Sequence, residues 1–319
     1  MAGGKHIVSI GECMMELRHR DEATLTLGFG GDTLNTALYM SRIGRSRGLR
    51  VSYLTALGDD PYSDRMIAAW QAEGIDTGLA ARLPGRLPGL YIIRTDAKGE
   101  RSFSYFRTAA AARDMLKDGR AAALRERLAG ADCLYLSAIT LSILDEGQRR
   151  ALMDILDAAR ARGAAVAFDS NYRPAGWASA DEARHWMAEA WRRATIGLPT
   201  LEDEQRLQGD AGADACAARL RGHGLREIAV KTGAAGCVVF AGEIRQELPA
   251  LAVPRIVDTT AAGDSFSAAY VAARMVGLDP AAAARKGNDL AAIVIQHPGA
   301  IVPLAATAAF DLGAPPASG

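Results

Sequence analysis

The sequence predicts an α/β fold built on a mostly parallel sheet covered by helices on both faces. Short apolar runs recur along the chain, helical-period stretches separate them, and 49% of the 319 residues are hydrophobic, enough for a substantial core. In chain order the strand candidates are residues 7–10, 51–56, 134–137, 166–169, 228–231 and 238–240. The clearest helix spans 144–161, where Leu144, Leu152, Ile155, Leu156 and Ala159 fall near helical spacing. Two long helices close the chain, near 263–276 and 280–295. Ligands of such sheets bind beyond the carboxyl ends of the strands, where loops enter the next element.

One segment breaks the alternation. Residues 90–94 and 101–107 are rich in aromatic and β-branched residues and flank Asp96-Ala97-Lys98-Gly99-Glu100, a hairpin signal with Gly99 in the turn. Ser102 and Ser104 alternate with Phe103 and Tyr105, as half-exposed strands do. A hairpin inserted in an α/β chain serves as a lid or as an oligomer contact.

Charge excludes some partners. The 37 Lys and Arg balance the 37 Asp and Glu, so no global field favours nucleic acid or an anionic membrane. Cys13, Cys133, Cys216 and Cys237 are scattered without metal-ligand spacing and read as buried thiols of a reducing compartment. No apolar run reaches the length of a membrane span, and the start of the chain lacks a secretory pattern, so a cytoplasmic protein is expected. The Ala/Pro/Ser/Gly-rich residues 311–319 read as a flexible tail.

The most informative string is Asp258-Thr259-Thr260-Ala261-Ala262-Gly263-Asp264-Ser265-Phe266. Small residues lead into a helix whose first amides lack intrahelical partners and carry the positive end of the dipole, so they can hold an anion. Asp264 stands beside that anion, placed to take a proton from an attacking hydroxyl. An ordinary capped loop explains the tetrapeptide Ala261-Ala262-Gly263-Asp264 equally well.

Three further strings carry candidate residues. Gly28-Phe29-Gly30-Gly31-Asp32-Thr33-Leu34-Asn35-Thr36-Ala37 reads as a tight turn before a helix capped by Asp32 or Thr33; a dinucleotide fingerprint fails because its third glycine is misplaced. Glu16 lies just beyond the first strand and on its own reads as a solvated charge. Arg107 ends the second hairpin strand, and Arg173 follows a core strand in Asp169-Ser170-Asn171-Tyr172-Arg173-Pro174. Guanidinium groups recognise planar carboxylates bidentately, which a neutral sugar does not require, and Tyr91 and Tyr105 add hydroxyls and ring surface. Val230-Lys231-Thr232-Gly233-Ala234-Ala235-Gly236 is a glycine-rich turn that a plain β-hairpin also explains.

The strings 28–37 and 258–266 resemble the two signatures of the ribokinase-like (PfkB) carbohydrate kinases, and the resemblance extends over about residues 5–303. It implies one ribokinase-like three-layer sandwich over 1–319, with a small β-lid formed around 12–30 and 86–108. By resemblance Asp264 is the catalytic base, Ala261, Ala262 and Gly263 form the anion hole, and Gly31, Asp32 and Asn35 contact the sugar. Lys231, Gly233 and Gly236 are implied around ATP, Asn288 toward the adenine or ribose, and Asn171 near the phosphates. The family's Asn-x-x-Glu motif, linked to Mg²⁺, is altered to Thr200-Leu201-Glu202-Asp203, leaving Asp203 to act through water. Family analogy adds a monovalent-cation site near Asp258, Thr260 and Gly299.

Ile10-Gly11-Glu12-Cys13-Met14, Arg86-Leu87-Pro88-Gly89-Leu90-Tyr91 and Asn171-Tyr172-Arg173-Pro174 are similar to the branch of the family acting on 2-keto-3-deoxygluconate. That similarity implies phosphorylation of the 6-hydroxyl, with Gly31, Tyr91, Tyr105, Arg107 and Arg173 on the sugar acid. Many family members carry Asp at the position of Glu16. A same-fold kinase for a neutral sugar such as fructose or ribose, and a non-catalytic sugar-acid sensor, are the alternatives. A homo-oligomer formed through the lid edge is expected, because exposed strand edges invite pairing.

Overall fold

The computed structural model describes residues 4–95 and 101–313. Its strands are β1 (His6–Ile10), β2 (Met14–His19), β3 (Leu25–Gly30), β4 (Arg50–Leu57), β5 (Ala80–Arg82), β6 (Gly89–Thr95) and β7 (Arg101–Phe106). They continue as β8 (Cys133–Ser137), β9 (Ala165–Asp169), β10 (Ile196–Leu198), β11 (Glu227–Lys231), β12 (Cys237–Ala241) and β13 (Ile244–Leu248). The helices are α1 (Asp32–Gly44), α2 (Pro61–Ala72), α3 (Arg120–Arg127), α4 (Ala138–Ile143), α5 (Glu146–Ala161) and α6 (Ala180–Arg193). After them come α7 (Leu201–Gln208), α8 (Ala213–Gly222), α9 (Ala262–Met275), α10 (Pro280–Val294) and the short α11 (Leu304–Thr307).

Nine strands form the main sheet in the order β13-β12-β11-β10-β9-β8-β1-β4-β5. Pairing is parallel from β11 through β5 and antiparallel where β12 and β13 extend the edge. Every predicted core strand is present. β4 and β8 read as near-continuous apolar runs because helices cover both faces and bury almost every side chain. On one face, α5 and α6 enclose a core in which the Phe168 and Trp191 rings meet at 4.5 Å. On the other, α1, α2, α9 and α10 enclose Tyr53 and Trp70 at 5.2 Å. Sequence reasoning missed β5 and β10, three residues each, and β13, a mostly exposed edge strand of sequence Ile-Arg-Gln-Glu-Leu. Such short or edge segments carry no apolar run to read.

A second sheet, in the order β3-β2-β6-β7, stands apart from the first. The expected hairpin is β6–β7, antiparallel with Tyr91 opposite Tyr105. β6 also runs parallel to β2, so the small sheet unites two distant parts of the sequence. The turn at 96–100, Gly99 included, lies outside the described residues.

Three local expectations need correction. Helix α5 begins after Asp145, whose side chain accepts the Gln148 amide at 2.9 Å, so Leu144 precedes the cap and packs as a buried residue. Neither Asp32 nor Thr33 caps α1: Gly31 is the cap residue, Asp32 is already helical, and the Thr33 hydroxyl is 3.0 Å from that of Tyr53. The expected tail is anchored at its start, where Asp311 pairs with Arg47 at 2.9 Å and Leu312 is buried; residues 314–319 lie outside the described residues. All four cysteines are buried and free. No helix among the described residues is long and apolar enough to cross a membrane.

The face that carries α9 depends on one glycine. A Cβ on Gly287 in α10 would lie 2.6–2.9 Å from ring atoms of Phe266 in α9. Gly287→Ala gains about 1 kcal/mol of helix propensity but overpacks a close helix contact, which costs about 1–3 kcal/mol. Net destabilisation is expected in urea unfolding. Gly222→Ala, at the end of α8 where nothing lies within 4 Å, should be neutral or stabilising. Equal effects of the two substitutions would contradict the packing argument.

Candidate active site

Helix α9 begins abruptly. Ala261, its cap residue, has φ 60°, a left-handed conformation uncommon for alanine. The first intrahelical bond runs from the Ser265 amide to the Ala261 carbonyl at 2.9 Å. The Ala262 amide, one of those expected in an anion hole, donates to the Thr259 carbonyl at 3.2 Å. Among the described residues, the Gly263 and Asp264 amides have no acceptor within the chain. Of the expected Ala261, Ala262 and Gly263, the Ala262 amide is the one bonded back into the chain, and Asp264 adds a further open donor at this dipole-positive end.

Asp264 faces a polar cavity of about 370 Å³, whose walls include Asp169, Asn171, Arg173, Thr200, Glu202, Asp203, Lys231 and Gly263. The Asn35 amide of α1 donates to Asp264 Oδ2 at 2.8 Å. Burial first, then the nearby Asp32 charge, push the Asp264 carboxyl up to about 7, while the Asn35 hydrogen bond and the Lys231 charge oppose the rise. A carboxylate near neutrality has the proton affinity a general base requires.

Beneath it lies a buried network that sequence reasoning did not single out. Lys231 Nζ reaches Asp169 Oδ2 at 2.5 Å, and the Ser267 hydroxyl donates to the same oxygen at 2.8 Å. Asp169 ends β9 at the carboxyl edge of the sheet, and an acid closing an apolar run was its available signal. A Cβ on Gly263 would lie 3.6 Å from Lys231 Nζ, so the ammonium is close beneath the helix start. Asn171, at φ 22°, donates to Asp32 Oδ2 at 2.7 Å, joining the loop after β9 to α1.

The expected sugar-side residues form a second cluster. Arg107 is ion-paired with Glu12, a buried residue in the β1–β2 connection that was not assigned a role. Tyr91 donates to Glu16, which also accepts from Arg18 at 3.0 Å. Glu16 is thus a partnered, largely buried carboxylate, and its reading as a solvated charge is corrected. The Tyr91 and Tyr105 rings lie 5.9 Å apart, with Tyr105 exposed. A side chain at Gly31 would collide with the Glu12 carbonyl, so the chain requires glycine there for close backbone approach. Asn35, expected on the sugar, has its amide on Asp264 instead; its Oδ1 is buried with no partner among the described residues.

Arg173, the other arginine expected on the sugar acid, makes separate contacts. It hydrogen-bonds the Tyr172 carbonyl at 2.9 Å and Asp203 at 3.4 Å, on the wall of the cavity that holds Asp264. Burial raises the Asp203 carboxyl and the Arg173 charge opposes that rise. Glu204 is turned away, buried against Arg219.

In the β11–β12 turn, Gly233 adopts φ 64° with open space around it. Gly236, at φ 99°, packs against the backbone at 248–250, which accounts for it structurally. The Asn288 amide donates to the carbonyls of Leu248 and Pro249 at 3.1 Å each, so it braces the end of β13. Asp258 Oδ1 accepts from the Thr260 amide and hydroxyl, and Oδ2 accepts from the Gly299 amide at 2.9 Å. Those three residues are therefore brought together.

The chain belongs to the pfkB family of carbohydrate kinases, whose model matches residues 5–307. It is 47% identical over 305 residues to the 2-dehydro-3-deoxygluconokinase of Dickeya dadantii, covering 95% of this chain and 98% of that protein. It is 45% identical over 302 residues to the 2-dehydro-3-deoxygluconokinase of Escherichia coli K12, covering 94% and 97%. Its fold matches the crystal structure of a PfkB protein from Polaromonas sp. JS666 with a TM-score of 0.81, at 25% identity, over 92% and 96% of the two chains. The architecture is thus ribokinase-like, as the sequence predicts.

The raised pKa of Asp264 has a consequence for stability. The folded chain holds this proton more tightly than the unfolded chain, whose value is near 3.8, so ionisation opposes folding. The penalty is absent below about pH 4, grows toward about pH 7 and is complete above it, at about 1.4 kcal/mol per pKa unit. Asp264→Asn should raise the melting temperature of the ligand-free chain at pH 8 and raise it much less at pH 4.5. A pH-independent difference would contradict the assignment.

Proposed function

We propose that the chain transfers the γ-phosphoryl group of ATP to the 6-hydroxyl of 2-keto-3-deoxygluconate, with Asp264 as general base. The observation that carries the reading is the near-neutral, half-buried Asp264 beside open helix-start amides in a polar cavity. The relatives named 2-dehydro-3-deoxygluconokinase support the substrate.

In this mechanism Asp264 accepts the hydroxyl proton as the sugar oxygen attacks the γ-phosphorus. The bond from phosphorus to the β,γ-bridging oxygen breaks, and ADP leaves. The Gly263 and Asp264 amides, with Lys231 beneath them, offset charge on the transferring group. Asn35 fixes the rotamer of the base. Arg107 and Tyr105 receive the sugar acid beneath the small sheet, which acts as a lid and keeps water from the phosphoryl group. Arg173, held by Asp203, faces the anionic group nearer the chemistry.

Mg²⁺ needs few protein ligands, since it binds through one or two carboxylates and substrate phosphates while keeping several waters. Among the described residues no cluster of three or more ligand side chains occurs, but Glu202 and Asp203 line the cavity. They fit a water-mediated role, in which the cation would offset phosphate charge. Asp258, Thr260 and Gly299 are the proposed monovalent-cation site. A cytoplasmic location and assembly through the lid belong to the same reading.

A neutral-sugar kinase is the second reading, in which Glu12 alone would meet the Arg107 charge. An ADP-release assay over keto acids, aldonates and hexoses separates the two. Asp264→Asn should lower kcat about 10²–10⁴-fold. Arg107→Ala should weaken the keto acid by about tenfold or more while changing a neutral hexose little. Near-normal turnover by Asp264→Asn, or equal losses on both sugars in Arg107→Ala, would sink the corresponding assignment.

A further inference from the structure

Glu12 is among the most deeply buried charged residues of the chain, with a side chain 1% exposed. One oxygen, Oε2, accepts from Arg107 Nη2. Its other oxygen and Arg107 Nε have no hydrogen-bond partner among the described residues. Burial pushes the Glu12 carboxyl up, and the charges of Arg107 and Arg113 oppose the rise. A buried ion pair of this kind seldom adds net stability over apolar packing, so its presence calls for another explanation.

Its location supplies one. Glu12 sits where the main sheet passes into the small sheet, between β1 and β2. Its carbonyl packs against Gly31 at the start of α1, and a Cβ on Gly89 of β6 would lie 2.8 Å from its Oε1. Glycines thus give the pair close approach from both flanking elements. Arg107 follows β7, so Glu12 ties the end of that strand to the floor of the site.

We propose that Glu12 is a positioning residue for Arg107, holding its guanidinium as the recognition group for the substrate carboxylate and so setting the preference for an acidic over a neutral sugar. This rests on the sugar-acid reading above. A free arginine at the end of a strand samples many rotamers, whereas one guanidinium edge held by a buried carboxylate leaves another edge oriented for a second one. The pairing of Arg107 then favours acid recognition, because it organises the fork.

The test uses the full chain, with kcat and KM measured for 2-keto-3-deoxygluconate, fructose and ATP. The variants are Glu12→Ala, Glu12→Gln, Arg107→Ala and the Glu12→Ala/Arg107→Ala double. Glu12→Ala should raise the keto-acid KM about tenfold and leave the ATP KM within about twofold, the range for losing a charged hydrogen bond. The acid-to-neutral ratio of kcat/KM should fall with it, and the double variant should be no worse than Arg107→Ala. An unchanged ratio, or losses that multiply in the double variant, would overturn the proposal, even if the melting temperature falls. If Glu12→Ala does not fold, Glu12→Gln, of equal size, carries the same comparison, with a smaller drop in the ratio expected and no drop overturning it. The unmutated chain separates the two claims: no turnover of the keto acid defeats the sugar-acid reading itself, whereas normal turnover with a ratio insensitive to Glu12 defeats only the positioning role.

Discussion

Three carboxylates, Asp32, Asp169 and Asp264, converge beyond the carboxyl edge of the main sheet, and how donors are shared among them governs the site. Asp169 takes Lys231 and Ser267. Asp32 takes Asn171 and lies in the first turn of α1, where a helix favours negative charge. Asp264 receives one side-chain donor, Asn35, and stands close enough to the other two for their charges to raise its pKa. Like charges in a poorly solvated site cannot all be equally favourable. Burial, and then these neighbouring charges, raise the Asp264 carboxyl to about 7, against the Asn35 hydrogen bond and the Lys231 charge.

The backbone carries a related cost. Left-handed φ values at Ala261 and Asn171 are uncommon for residues other than glycine, and both flank this cluster. Such conformations cost about 1–3 kcal/mol each and persist where surrounding contacts over-determine them. At Ala261 the left-handed residue carries the chain from the turn closed by the Ala262 amide on the Thr259 carbonyl into α9, and the Gly263 and Asp264 amides that follow have no acceptor among the described residues. At Asn171 it turns the loop after β9 so that the side chain reaches Asp32. Both left-handed residues therefore lie beside the carboxylate cluster.

Much of this was legible in the sequence, for identifiable reasons. The core strands announce themselves because burial on both faces demands continuous apolar runs, and α9 because small residues precede Asp264. Roles that depend on distant partners were not legible. Glu12 is 95 residues from Arg107, and nothing local to Ile10-Gly11-Glu12-Cys13 foretells that pairing. Glu16 looked solvated because its partner Tyr91 lies 75 residues away. The glycines were read by motif, and the structure distinguishes them: Gly31 and Gly236 are needed for close backbone approach, while Gly233 has open space.

Helix α1 connects the two halves of the site. Its cap residue, Gly31, lies against the Glu12 carbonyl, its first residue accepts from Asn171, and one turn later Asn35 holds Asp264. The Thr36 hydroxyl is also within 3.3 Å of the Asp264 carbonyl. The helix fixes the spacing of these contacts, at about 1.5 Å of rise per residue. The residues proposed for sugar recognition and for proton transfer are thus braced by the same thirteen-residue element. Under that proposal, the shared support is what holds residues so distant in sequence in one geometry.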